Sequence, residues 1–139
     1  MKVNYYSAIA SIALCLCMSV ISSHSDASPE TCDPKCLEQK AMLGEADAAL
    51  KLANASIKRS HGAMVYWYRI AAENGSAVGQ YNYGVFLVAD SKVKTDCTRA
   101  LFWFRKAAKQ GDKYSLDYIK PLEKNLVSQE FNNGCANVI

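Results

Sequence analysis

The sequence predicts an all-α chain, a short α-solenoid in which helices recur in stacked units. Three observations carry this. Trp67-Tyr68-Arg69-Ile70-Ala71-Ala72-Glu73-Asn74-Gly75 returns 36 residues later as Trp103-Phe104-Arg105-Lys106-Ala107-Ala108-Lys109-Gln110-Gly111. A period between roughly 20 and 50 residues is the signature of stacked supersecondary units. Met64, Trp67, Tyr68 and Ala71 fall at i, i+3, i+4 and i+7, and Leu101, Phe104, Ala107 and Ala108 trace a comparable stripe, which is helical spacing. Gly75 and Gly111 then close both runs with the residue that most readily takes the left-handed conformation found at helix C-termini.

The elements follow in order. Pro34 suits a first helical position and predicts a short helix at about 34–43. Gly44 to Ala53 aligns with Gly75 to Gly84 at an offset of 31 residues, and Gly111 to Lys120 aligns with the same segment at an offset of 36. Ala48, Gly79 and Ser115 then share one position, and Leu52, Tyr83 and Ile119 another. These segments predict helices at about 45–58, 77–89 and 112–128, alternating with helices at about 62–74 and 97–110 over the Trp-aromatic-Arg runs. The five-residue difference between the offsets fits a longer connection around Asp90 to Asp96. Pro121 has no backbone N–H to donate and should kink or interrupt the last helix.

The first thirty residues have a different character. Lys2 is the only charge before Asp26, and Ala8 to Ile21 is an unbroken run of 14 apolar or small residues. A membrane-spanning helix needs roughly 20. A positive start, a short apolar stretch and Ser25-Asp26-Ala27 have the form of a signal peptide cut after Ala27. Cys15 and Cys17 follow leucines, which does not suit a lipidation box, and they leave with the leader. Cys32, Cys36, Cys97 and Cys135 remain, and an even number in a small exported domain reads as two disulfides. Spacing alone leaves all three connectivities open. Net charge is +3 over 139 residues, with acids and bases interspersed. That excludes the basic stripe of a nucleic-acid binder and a polybasic membrane patch.

Trp-aromatic-Arg-x-Ala-Ala-x-x-Gly, followed after its first copy by small-Gln-Tyr-Asn-aromatic-Gly, resembles the Sel-1-like repeat, a relative of the tetratricopeptide repeat. The resemblance is strongest across Ala63 to Gly111, partial over Gly44 to Ser60 and Asp112 to Leu126, and absent before Cys36 and after Leu126. It implies antiparallel helix hairpins stacked into a right-handed superhelix that serves as a protein-binding scaffold. The chain then divides into a signal peptide (1–27), an N-terminal capping segment with a short helix (28–43), a repeat domain (44–128) and a C-terminal tail stapled by a disulfide (129–139). Bacterial members of the family are often exported, as periplasmic regulators, in host interaction or as immunity proteins beside antibacterial effectors. A cysteine-rich branch is linked to β-lactams, but it carries a cysteine pair within each repeat, and this chain does not.

A solenoid exposes one face at each end, and end units need caps. The cysteines lie near the two ends of the array. Cys135 falls about where a further helix of the Trp-containing type would begin, so it can fold back onto Cys97. The expected pairing is therefore Cys32–Cys36 and Cys97–Cys135.

The residues offer little for catalysis, so no enzyme, cofactor or metal is expected. His61, the single histidine after the leader, lies in a polar turn. Ser91-Lys92-Val93-Lys94 matches Ser-x-x-Lys without the companion motifs of penicillin-recognising enzymes. Cys-x3-Cys with no nearby histidine is a poor zinc pattern. Glu45, Asp47, Glu73, Asp90 and Asp96 lie mostly near predicted helix ends.

The expected function is therefore to bind a protein, in the periplasm or outside the cell, with the unbound chain a monomer. In tetratricopeptide-like stacks the first helix of each pair lines the concave face. The resemblance places there a stripe of Asp47, Lys51 and Asn54, then Val78, Asn82 and Phe86, then Tyr114, Tyr118 and Leu122. Residues 78, 82 and 86 share one helical face, and their aromatic and apolar members suit interface anchors. Three roles compete: an immunity protein that neutralises a secreted antibacterial effector, a regulator or scaffold of envelope signalling or polysaccharide export, and a β-lactam-binding or -hydrolysing protein.

Overall fold

The computed structural model describes residues 32–90, 94–127 and Cys135. The predicted leader, Ser91 to Val93 with the start of the Ser-x-x-Lys motif, and the tail other than Cys135 lie outside the described residues. Six helices run in order: α1 (Pro34–Met42), α2 (Ala46–Ser56), α3 (His61–Glu73), α4 (Ala77–Ala89), α5 (Lys94–Lys109) and α6 (Tyr114–Val127). Each packs on its neighbours in sequence, and α1 also touches α3. The chain is an all-α solenoid of short helical hairpins.

Local chemistry sets the helix ends. The Asp33, Ser60 and Ser76 side chains accept from the backbone N–H of Cys36, Ala63 and Gly79, capping α1, α3 and α4. Asp112 does the same for Ser115 at the start of α6, at 2.8 Å. Gly75 and Gly111 both sit at φ 92°. This lets Ser76 N–H reach Ala71 O at 3.0 Å and Asp112 N–H reach Ala107 O at 3.1 Å, the closing bond of a helix C-terminal motif.

Two expectations change. The fifth helix starts at Lys94, three residues before the predicted Cys97. Pro121 does not interrupt α6, which runs through it. Proline removes only the bond to Asp117 O, and Asp117 is exposed, so water can take that carbonyl.

The repeat also recurs in the contacts between hairpins. Asn74 and Gln110 hold the same repeat position. Asn74 Nδ2 donates to Ala41 O at 3.0 Å, and Gln110 Nε2 donates to Gly75 O at 3.0 Å. Each residue ties the end of one Trp-type helix to the end of the odd-numbered helix before it. Gln110 also donates to Gln80 Oε1 at 2.8 Å, and the buried Gln80 donates to Ala72 O. Buried amide groups are thereby satisfied. At Gly79 a Cβ would lie 2.7 Å from Ala71 Cβ, so α3 and α4 approach as closely as the Ala-Ala pair allows. The disulfides are Cys32–Cys36 and Cys97–Cys135.

Candidate functional site

The stripe residues sit on the even-numbered helices, but the packing divides them. Asp47, Lys51 and Asn54 are exposed on α2. Val78 on α4 and Tyr114 on α6, one repeat apart, are 55% and 70% exposed. One or two turns further along, the stripe turns inward. Phe86 stacks on Tyr68 of α3 at 5.8 Å and meets the His61 ring edge-on at 5.3 Å. Tyr118 stacks on Phe104 of α5 at 4.5 Å, with the rings 14° from parallel. Tyr68 and Phe104 hold the same repeat position, so one ring of each Trp-type helix supports a ring of the next even-numbered helix.

Leu122 leaves the stripe altogether. It is fully buried, in a cluster with Val88, Cys97, Ala100, Leu101, Phe104 and Cys135. The reason is positional: this side of α6 faces α5 and the disulfide. The amides are partly committed too. Asn54 Oδ1 accepts from the Tyr68 hydroxyl at 3.0 Å, and Asn82 Nδ2 donates to Val78 O at 2.8 Å.

What remains in reach of a partner is a patch at the α4–α6 joint, and its centre is a residue outside the predicted stripe. The Tyr81 ring lies 6.0 Å from each of the Tyr114, Tyr118 and Phe104 rings. Burial pushes the Tyr81 phenol up to about 12, and a hydrogen bond with Tyr118 adds to the effect. Burial also raises Tyr68. Both groups stay protonated at neutral pH and present hydroxyls as donors and acceptors. The signal for Tyr81 was available: it sits at i+3 from Val78, on the same helical side as Asn82 at i+4.

Catalytic groups do not converge at this patch. His61 is the first residue of α3, exposed and edge-on to Phe86, rather than in a turn. No three His, Cys, Asp or Glu side chains among the described residues could jointly hold a metal ion. No described helix is long and apolar enough to cross a membrane.

The Sel1 repeat family model matches residues 65–76 and 77–112, the body of α3 and then the whole of α4 and α5. Residues 65–112 thus carry Sel1 repeats. Sel1 repeats are protein-interaction modules, typically non-enzymatic. No curated protein and no solved structure matches this chain. In this Sel1 array Gln80 and Gln110, which hold successive hairpins together, were missed as structural keys. Their roles depend on which carbonyls other helices bring near, and spacing does not disclose that.

Proposed function

We propose that this chain is a periplasmic, non-enzymatic protein-binding module, and specifically an immunity protein that binds and neutralises a secreted antibacterial effector. The observation that carries the binding reading is the exposed aromatic patch at the α4–α6 joint. Tyr114 stands largely in solvent beside Tyr81, while Tyr118 is held rigid on Phe104. Rigid, amphipathic rings on a preformed surface lose little entropy on binding and dominate interface energetics. The immunity role is supported by the leader-like N-terminus, the two disulfides of an oxidising compartment and a repeat array whose described residues bring no catalytic groups together.

Co-expression with the product of the neighbouring gene tests the role. Relief of that product's toxicity is the expected result. Persistent toxicity would point instead to a regulator or scaffold of envelope signalling or polysaccharide export. Nitrocefin turnover by the purified chain would overturn the non-enzymatic reading. For the patch, Tyr114→Ala should weaken partner binding by roughly tenfold or more, the size of an interface hot spot. Its melting temperature should stay at the wild-type value, because the ring is exposed. Unchanged affinity removes the patch from the interface.

A further inference from the structure

The two Trp-containing helices carry the same aromatic corner. On α3 the Tyr66 and Trp67 rings meet edge-on, 4.9 Å apart and 77° from parallel. On α5, 36 residues later, Phe102 and Trp103 meet at 4.9 Å and 76°. The second corner holds a cation. The Lys106 ammonium lies 5.1 Å from the Phe102 ring centre and 5.3 Å from that of Trp103, inside the distance of about 6 Å at which a ring attracts a positive charge. Lys106 reaches both rings because it follows Phe102 by four residues and Trp103 by three on one helix. The matching residue of α3 is Ile70, which packs instead against the cluster of Ala41, Ala48, Ala49, Leu52 and Ala71. Arg69 stands 5.5 Å over the Tyr66 ring, but its guanidinium is shared with Glu73 at 3.8 Å. Among the described residues no cation stands over Trp67. The first corner therefore lacks the ammonium that the second supplies for itself.

The neighbouring helix differs as well. A groove of about 420 Å³ runs between α1 and α3, lined by Glu38, Gln39 and Met42 of the first and by Tyr66 and Trp67 of the second. The Glu38 carboxylate is exposed and forms no ion pair among the described residues. By the 31-residue offset that aligns Gly44 with Gly75, Glu38 holds the place of Arg69. The corner with its own lysine thus has a basic residue on the helix before it, and the corner without one has an acidic residue there. Two rings, an apolar Met42 and an unpaired carboxylate are complementary to an alkylammonium, whose stem would lie on the apolar walls and whose charge would face Glu38. We infer that the α1–α3 corner binds a lysine side chain of a protein partner. Lysine is the occupant because a lysine ammonium fills the equivalent corner of α5, and because the Gln39 amide at the groove offers a donor and an acceptor to the peptide backbone that carries it. The segment before Cys32 contains a single lysine, Lys2. This site shares no residue with the tyrosine patch, and either can fail without the other.

The test follows the indole N–H signals of Trp67 and Trp103, the two tryptophans of the chain, by NMR of the isotope-labelled, oxidised full chain. Trp103→Phe assigns them. The probe is the capped peptide acetyl-Ala-Lys-Ala-amide, and the controls are the same peptide with norleucine for lysine, and choline. A saturable shift of the Trp67 signal by the lysine peptide is the expected result, with Trp103 unmoved because Lys106 fills its corner. The norleucine peptide should shift neither signal, and choline should bind more weakly than the lysine peptide. Glu38→Gln, at an exposed side chain, should weaken binding by roughly threefold. Ile70→Lys sets an ammonium where α5 has Lys106 and should abolish binding, while Ile70→Met retains it. Tyr114→Ala should leave binding unchanged, which separates this corner from the tyrosine patch. Equal shifts by the lysine and norleucine peptides, no saturation, or full affinity in Glu38→Gln or Ile70→Lys overturns the inference. Tighter binding of choline does so too, since the site would then suit a quaternary ammonium. So does a Trp67 signal that moves when the α-amino group of the chain is acetylated, since the corner would then hold the chain's own terminus.

Discussion

At the N-terminal end of the array the helices meet over small side chains, and at the C-terminal end they meet over large ones. The first cluster is Ala41, Ala48, Ala49, Leu52 and Ala71, and the second is built on Val88, Leu101, Phe104 and Leu122. Their disulfides differ in the same sense. Cys32–Cys36 closes a sequence separation of 4 at a partly exposed helix start, whereas Cys97–Cys135 closes 38 and is fully buried. The N-terminal end gains its stability from close approach spread over many small contacts. The C-terminal end concentrates it in a few rings and one long cross-link. Single changes should therefore be felt most at the C-terminal end.

Truncating the largest buried ring gives the largest effect. Phe104 touches Gly84, Tyr81 and Tyr118, and Phe104→Ala should cost about 3–5 kcal/mol. Truncating a fully buried alanine of the small-residue end, Ala49→Gly, should cost about 1 kcal/mol. Urea denaturation of both variants checks the contrast. Equal midpoints would mean that the two ends are held alike.

The cross-links come next. Replacing Cys97 and Cys135 together by alanine should cost about 2–4 kcal/mol, because the bond removes the freedom of a long loop from the unfolded chain. Replacing Cys32 and Cys36 together removes a far shorter loop, of separation 4 against 38, and should cost about 2 kcal/mol or less. Thermal melts of the two double variants measure the difference. A larger loss at Cys32–Cys36 would reverse the comparison.

The same contrast explains what the sequence made legible. Helix positions were readable because the apolar stripes and glycine stops are local, and the 36-residue repeat states them twice. Even the long disulfide followed from the place of Cys135 relative to the repeat. The candidate site was only half readable. Val78 and Tyr114 lie in the open as the stripe requires, yet Phe86, Tyr118 and Leu122 turn toward the preceding Trp-type helix. A helical wheel separates an inner side from an outer one. It does not show that an even-numbered helix is packed on the helices both before and after it, as α4 is on α3 and α5. Tyr81 lies on a legible side of α4, but its place at the centre of the patch comes from Tyr114 and Tyr118, more than 30 residues away.

The smallest expected effect concerns how tightly the C-terminal rings are enclosed. An unfolded tyrosine ionises near pH 10, while the folded chain holds the Tyr81 proton up to about 12. Raising the pH through this window draws the proton from the unfolded chain first. The stability linked to Tyr81 is therefore complete below about pH 10 and is lost as the pH climbs through about 12. Tyr81→Phe removes the ionisation and keeps most of the ring contact, so the variant should lose less stability than the wild type between about pH 9 and pH 11. Tyr68 is raised by burial as well, but it belongs to the small-residue half and its hydroxyl is held by Asn54. Tyr68→Phe should therefore lower stability at neutral pH by about 1 kcal/mol through the lost hydrogen bond, a cost that Tyr81→Phe does not share if the Tyr81 hydroxyl can exchange Tyr118 for water. Urea midpoints of both variants at neutral and alkaline pH distinguish the two cases. Identical alkaline losses in wild type and Tyr81→Phe would show that the Tyr81 hydroxyl is solvated and that the tyrosine patch is looser than its ring distances imply.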